Sequence, residues 1–191
     1  MNHEDYKKAA DHWKPIDAAS VKMPREELLA AIESYILAND TCALATGSGS
    51  QIRNTPIEYT YHDGAFWMFS EGGEKFLGLE QNKNVCLAIF DKYAGFAKLK
   101  GMQVQGVAEI VEPFSEEYLK AAEFKKIPIE MLKKLPEVMN LIKIVPERIF
   151  SFSAYSSGIF LSFPGIKITL VFPLQFTATS PWYTSSTVKN R

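Results

Sequence analysis

The spacing of apolar residues changes near residue 40. Ahead of that point Leu28, Leu29, Ile32 and Ile36 recur every three or four positions, the stripe of an amphipathic helix. Pro24 stands where a first helical position tolerates a missing N–H, and Glu26 and Glu27 lie where the helix dipole favours acids. Asn39-Asp40 ends the segment. Residues 3–13 predict a shorter helix, with Tyr6, Ala10 and Trp13 near one face.

Beyond residue 40 the texture becomes short apolar runs divided by turn residues. Thr41–Thr46 predicts a strand, Gly47–Ser50 a turn and Gln51–Tyr61 a second strand. His62-Asp63-Gly64 carries the Asp-Gly signature of a hairpin, and Ala65–Ser70 is a third strand. A tight Glu71-Gly72-Gly73 loop leads into a helix over 74–82. Strands follow at Asn84–Asp91 and Lys98–Val111, helices at 115–124 and 128–135, and a sixth strand at Leu141–Val145. Short strands, tight turns and peripheral helices predict a mainly β fold, a small antiparallel barrel. Residues 1–150 read as one barrel domain with N-terminal helices, and 151–191 as a tail of different texture.

Composition narrows this picture. Apolar content of 47% and charged content of 23% fit an ordinary globular domain, and no fixed-period repeat is present. A net charge of −1 gives no whole-chain attraction to nucleic acid or an anionic membrane, so neither is an expected partner. The tail holds Lys167, Lys189 and Arg191 and no acid, a charge of +3 against −4 for the first 150 residues. It reads equally as an extra strand pair, a dimer arm or an altered C-terminus. Cys42 and Cys86 sit inside apolar runs and read as buried, reduced thiols. His3, His12 and His62 do not cluster with them, so the spacing of a metal site is absent. The charged start MNHEDYKKAADHWK has no apolar run of the secretory kind. Ile159–Phe176 is interrupted by Pro164, Lys167 and Pro173, which speaks against a spanning helix. A cytoplasmic location is the expectation.

The candidate chemistry lies in IRNTPIEYTY and the following FWMFSEGGEKFLGLEQNKN. A phosphate dianion wants fixed cations and N–H donors. Arg53 lies on a strand, Ser70 at a strand end, and Lys75 just past a glycine loop at a helix start, where free N–H groups favour an anion. The three make a phosphate clamp if the hairpin brings the strands together. From spacing alone Arg53 and Lys75 read more readily as solvated surface charges, with Gly72-Gly73 a plain turn.

In order, the run from Thr41 to Pro113 shows a strand, a turn, a strand carrying Arg53 and then Thr55-Pro56, a hairpin, and a strand ending in Ser70. A loop with Lys75, a helix, Asn82-Lys83-Asn84-Val85 and a long strand with Gln103-Val104-Gln105-Gly106 complete it. This order resembles the core of the pyridoxamine 5′-phosphate oxidase-like FMN-binding split barrels, over residues 25–150. The resemblance implies an antiparallel FMN-binding split β-barrel in which Arg53 and Lys75 grip the phosphate with help from Ser70. Asn54, Thr55 and Pro56 would run along the flavin ring, and Trp67, Met68 and Phe69 would lie on the strand beside it. Trp67 and Phe69 read as readily as core packing. Gln103 would approach from a second subunit, because such barrels pair as homodimers with two cofactor sites at the interface. The implied activity is an FMN-dependent oxidoreductase acting on a small molecule, with NAD(P)H or another small electron donor. No catalytic side chain is required, although Tyr59 or Tyr61 could supply a proton. Residues 146–191 hold no His and only Arg148 and Arg191, so the Arg/His-rich segment that grips pyridoxal in the true oxidases has no counterpart here. Another substrate is expected. The alternatives are a non-catalytic flavin, deazaflavin or haem carrier or sensor, and a dimeric barrel without cofactor. His62, expected to be solvated at its hairpin tip, and His12 and His3 are the only available haem ligands.

Overall fold

A computed structural model of the chain describes residues 2–8, 11, 24–95, 98, 100–153 and 168–171. Residues 3–8 are helical (α1). The remaining helices are α2 (Arg25–Leu37), α3 (Glu74–Gln81), α4 (Glu116–Phe124) and α5 (Ile129–Leu132). The strands are β1 (Thr41–Ser48), β2 (Gln51–Glu58), β3 (Thr60–His62), β4 (Ala65–Ser70), β5 (Asn84–Phe90), β6 (Lys100–Val111), β7 (Asn140–Ser153) and β8 (Ile168–Val171).

Strict alternation makes these strands two-faced. Cys42 and Leu44 of β1, Val85, Leu87 and Ile89 of β5, and Met102, Val104 and Ala108 of β6 are buried in one cluster, while their neighbours point outward. Every pairing is antiparallel, in the order β2-β1-β5-β6-β7-β4-β3, with β8 against β7. The two ends of that order are one stretch of chain, because β2 and β3 are separated only by Tyr59. The sheet therefore curls back on itself, and it is split where β2 follows β1 while β3 follows β4. Tyr59 holds the crossing: its N–H donates to the Asp40 carbonyl at 2.7 Å and its buried hydroxyl to the Ile36 carbonyl at 2.7 Å. That ties the seam to the end of α2, whose Leu28, Ile32, Tyr35 and Ile36 plug the barrel.

Strand β7 needs an irregularity. Ile142 and Ile144 face the interior, and so does Ile149, although its number has the opposite parity. The register explains this: Gly106 pairs with Pro146 and Gln105 with Arg148, which leaves Glu147 as an extra residue. The bulge restores the apolar side chain to the inside, since a one-residue slip would turn it out. It also accommodates Pro146 within a strand. For that reason β7 runs to Ser153 and not only over the expected Leu141–Val145.

A second cluster lies on the outer face of β4, β6 and β7. Trp67, Val111 and Leu141 pack there under Tyr118, Ala121 and Ala122 of α4 and Leu132 of α5. Ser115 caps α4 by accepting from the Tyr118 N–H, and the Tyr118 hydroxyl donates to the Met139 carbonyl at 2.9 Å. Each such fully buried large side chain contributes about 1.5–3 kcal/mol. The turn expected at Gly47–Ser50 is confined to 49–50, because Gly47 and Ser48 continue β1. The composition boundary at residue 150 falls within β7. Apart from the rest of β7 and β8, the tail lies outside the described residues, as does most of the apolar run at 159–176. No helix among the described residues is long and apolar enough to cross a membrane.

Candidate functional site

The split leaves β2 paired only on its β1 side, with its residues Gln51 to Asn54 exposed. Across from it, β4 ends at Ser70 and the chain turns through 71–73 into α3. Gly73 begins the helix at φ 120°, a conformation closed to ordinary side chains, and no side chain caps the helix start. A Cβ on Gly73 would lie 4.0 Å from the Lys75 ammonium. That is ordinary contact, so the positive φ of the turn, and not room for the lysine, requires glycine here.

Lys75 is buried, 9% exposed. Its ammonium donates to the carbonyls of Glu71 at 3.2 Å and Gly72 at 3.1 Å, and lies 5.0 Å from the centre of the Phe76 ring. Burial first, and then the charge of Arg53, lowers its pKa, while Glu71 works in the opposite direction. The two cations expected to act together are thus near enough to feel each other. Arg53 itself is half exposed and forms an ion pair with Glu74, the first residue of α3. Ser70 leaves β4 on the same side as the inward Phe66 and Met68, and its hydroxyl donates to the Glu71 carbonyl at 2.9 Å.

A cleft of about 830 Å³ opens between the β1–β2 hairpin and α3, lined among others by Thr46, Gly47, Arg53, Glu74, Leu77 and Gln81. Its volume is in the range of small-molecule sites, about 300–1,000 Å³. A second hollow of about 480 Å³ adjoins it through Thr46–Gly49, with Asn82, Asn84, Cys86, Gln105 and Glu147 on its walls. Arg53 lines the larger cleft, whereas Lys75 and Ser70 stand beside it, turned onto the 71–72 backbone. Asn54 and Pro56 are exposed on β2, and Thr55 is half buried.

One expected residue lies elsewhere. Trp67 is on the opposite face of β4 from Phe66 and Met68, in the α4 cluster, with its indole N–H donated to the His62 carbonyl at 3.1 Å. Gln103 is exposed on the outer face of β6, beside Ala88 of β5 and Phe150 of β7, away from its own chain's cleft. Two further readings change. Tyr59 is in the core, and Tyr61 is partly buried against Phe66 with burial pushing its phenol up to about 12, so neither lines the cleft. His62 is not solvated. Its ring stacks on Trp67 at 4.9 Å and against Phe124 at 4.1 Å, and its side chain is 11% exposed. His3 is exposed in α1, and His12 lies outside the described residues.

Glu74 is the residue the sequence reading missed. Its signal was weak, an acid next to Lys75 in a first helical turn, where acids are common for dipole reasons alone. Its partner is visible only once β2 and α3 face each other. Among the described residues no group of three or more His, Cys, Asp or Glu side chains is placed to hold a metal.

Comparison with known proteins places this geometry. No curated protein matches the chain by sequence. Among solved structures, a conserved hypothetical protein from Mycobacterium tuberculosis matches at TM-score 0.58 and 25% identity, over 77% of this chain and 96% of that one. The haem storage protein HutZ of Vibrio cholerae matches at TM-score 0.55 and 18% identity, over 65% and 95%. An FAD-binding protein from Mesorhizobium loti matches at TM-score 0.52 and 20% identity, over 64% and 90%. These likenesses establish the fold. The sequence profile of pyridoxamine 5′-phosphate oxidase matches residues 28–152, from the plug helix to the end of β7, so this split barrel belongs to the pyridoxamine 5′-phosphate oxidase family.

Proposed function

We propose that the chain is an FMN-binding flavoprotein that works as an oxidoreductase on a small molecule. The observation that carries the reading is the pairing of Arg53 with the α3 start across the cleft. A guanidinium, a buried ammonium under its influence and an uncapped helix end are gathered at one place. Dianionic phosphate is the group such a place suits. The phosphate of FMN would be held by Arg53, Lys75 and Ser70, and the free edge of β2 at Asn54, Thr55 and Pro56 would meet the polar rim of the ring. The flavin, when bound, supplies the two-electron chemistry, and the protein supplies position and exclusion of water. NAD(P)H or another small donor would furnish the electrons. The neighbour described as FAD-binding supports a flavin in general.

The outer sheet face fits a second copy of this chain. Ala43, Ala45, Cys86 and Ala88 form adjoining rows of small residues, bordered by Gln103, Gln105 and Phe150. A flat face of this kind, reaching β2 at Asn54 and Pro56, would carry Gln103 to the partner's cofactor. Cys42 and Cys86 are both free thiols, in keeping with a cytoplasmic location.

A non-catalytic carrier is the second reading, favoured by the cleft itself. Among the described residues its only ionisable side chains are Arg53 and Glu74, and they pair with each other. Haem-storing HutZ shows that the fold serves such roles in another protein. The covered ring of His62 argues against haem here. The test is the absorption spectrum of the purified protein, with mass identification of what it releases on denaturation. Flavin bands that bleach under anaerobic NADH or NADPH and recover with an acceptor are the expected result. Flavin bands that no donor bleaches would leave the carrier, and a colourless protein that takes up no added FMN would refute both.

A further inference from the structure

We infer that Glu74 is a built-in competitor for the phosphate site: its carboxylate occupies the Arg53 guanidinium and must leave before a phosphorylated ligand can take that cation. The inference rests on the FMN reading above and adds a residue that sets affinity and selectivity at the same site.

The two cations are neutralised differently. Lys75 donates to two backbone carbonyls, so its charge remains available to an incoming anion. Arg53 is bonded to a carboxylate from α3, the element that also supplies the helix start. Glu71 and Glu74 both lie in the segment that approaches the cations, which brings the local formal charge of Arg53, Lys75, Glu71 and Glu74 to zero. A phosphate dianion entering an unaltered cluster would meet Glu74 as a repelling neighbour and find one terminal nitrogen of the guanidinium already engaged. Displacement is feasible because the Glu74 side chain is 71% exposed and that of Arg53 52%, so the carboxylate can turn out into water. The competitor acts only on ligands that carry the phosphate. Flavin without it, riboflavin, would not need Arg53 and would leave the ion pair in place.

Removing the carboxylate should therefore move binding and stability in opposite directions. Glu74 in a first helical turn stabilises α3 through the dipole and the ion pair, so Glu74→Gln should lower the melting temperature of the unliganded protein slightly. The same change should tighten FMN about 1.5- to fivefold, the size of a surface ion pair. Riboflavin affinity should stay the same.

The experiment is fluorescence titration of FMN and riboflavin into the wild type, Glu74→Gln and Arg53→Gln. Tighter FMN in Glu74→Gln with unchanged riboflavin supports the inference. Equal FMN affinity in Glu74→Gln and wild type overturns it, as does an equal gain for riboflavin, which would mean a general field and not competition at the phosphate. If Arg53→Gln leaves the preference for FMN over riboflavin intact, or the wild type has none, the phosphate assignment itself falls and the inference falls with it.

Discussion

Lys75 has 9% of its surface exposed, beside a second cation, and its hydrogen bonds go to two backbone carbonyls. Nothing in folding requires this arrangement, and it opposes folding. Burial, then Arg53, lowers its pKa in the folded state below the ordinary 10.5, so the unfolded chain binds the proton more tightly. The penalty is present in full at neutral pH and fades as pH rises toward 10.5. Lys75→Met, close in volume and without charge, should therefore make the unliganded protein more stable to urea at pH 7. Its advantage should shrink as pH climbs to the lysine range. A less stable Lys75→Met at pH 7 would mean that the carbonyl contacts outweigh the charge. Residues of this kind show what the sequence discloses. Arg53, Ser70 and Lys75 could be picked out because phosphate chemistry demands particular side chains near glycine turns. The partner Glu74 could not, since acids fill first turns for reasons unrelated to ligands. His62 was misjudged, and Trp67 was left open between flavin and core packing, because strand parity fixes only which face a side chain takes. What covers that face, α4, comes from 50 residues further along.

At the level of elements, most boundaries follow from local signals: Pro24 before α2, Asp63-Gly64 between β3 and β4, and Gly73 ahead of α3. Both Asp63 and Gly64 adopt positive φ, 52° and 72°, as the primed hairpin turn requires. Strand β7 is the exception. Pro146 reads as a stop, and only the pairing of Gly106 with Pro146 shows that β6 and β7 continue together past it. That passage depends on close contact. A Cβ on Gly106 would lie 2.4 Å from the Val145 carbonyl oxygen, a backbone atom that cannot step aside. Gly106→Ala should cost about 1–3 kcal/mol, the usual cost of forced overpacking. At about 2–4 °C per kcal/mol for a chain of this size, the loss is readable by thermal melting. An unchanged melting temperature would show that the bulge relaxes freely.

The described residues form a barrel, and among them three of its faces are covered: the interior under α2, the α4 side, and the α3 edge. The β1-β5-β6 outer face is left with Ala43, Ala45, Cys86, Ala88, Gln103 and Gln105, and no described helix packs on it. On the proposed account that face meets a second copy. Sedimentation should give twice the 21.5 kDa chain mass, and Ala88→Arg, which places a charge among the small residues of that face, should give the single-chain mass. A monomeric wild type would remove the role proposed for Gln103 and leave the cleft to one chain. Barrel closure through Tyr59 was hidden in the sequence for a physical reason. Gln51–Tyr61 reads as one strand, and only long-range pairing divides it between β1 and β4.

The central claim is that two cations distant in sequence serve one phosphate, and its most direct measurement is the FMN dissociation constant of Arg53→Gln/Lys75→Gln beside the wild type. Charge-assisted hydrogen bonds are worth about 1.5–3 kcal/mol each, so losing both should weaken FMN at least a hundredfold. FMN bound equally well by the double variant would contradict the account.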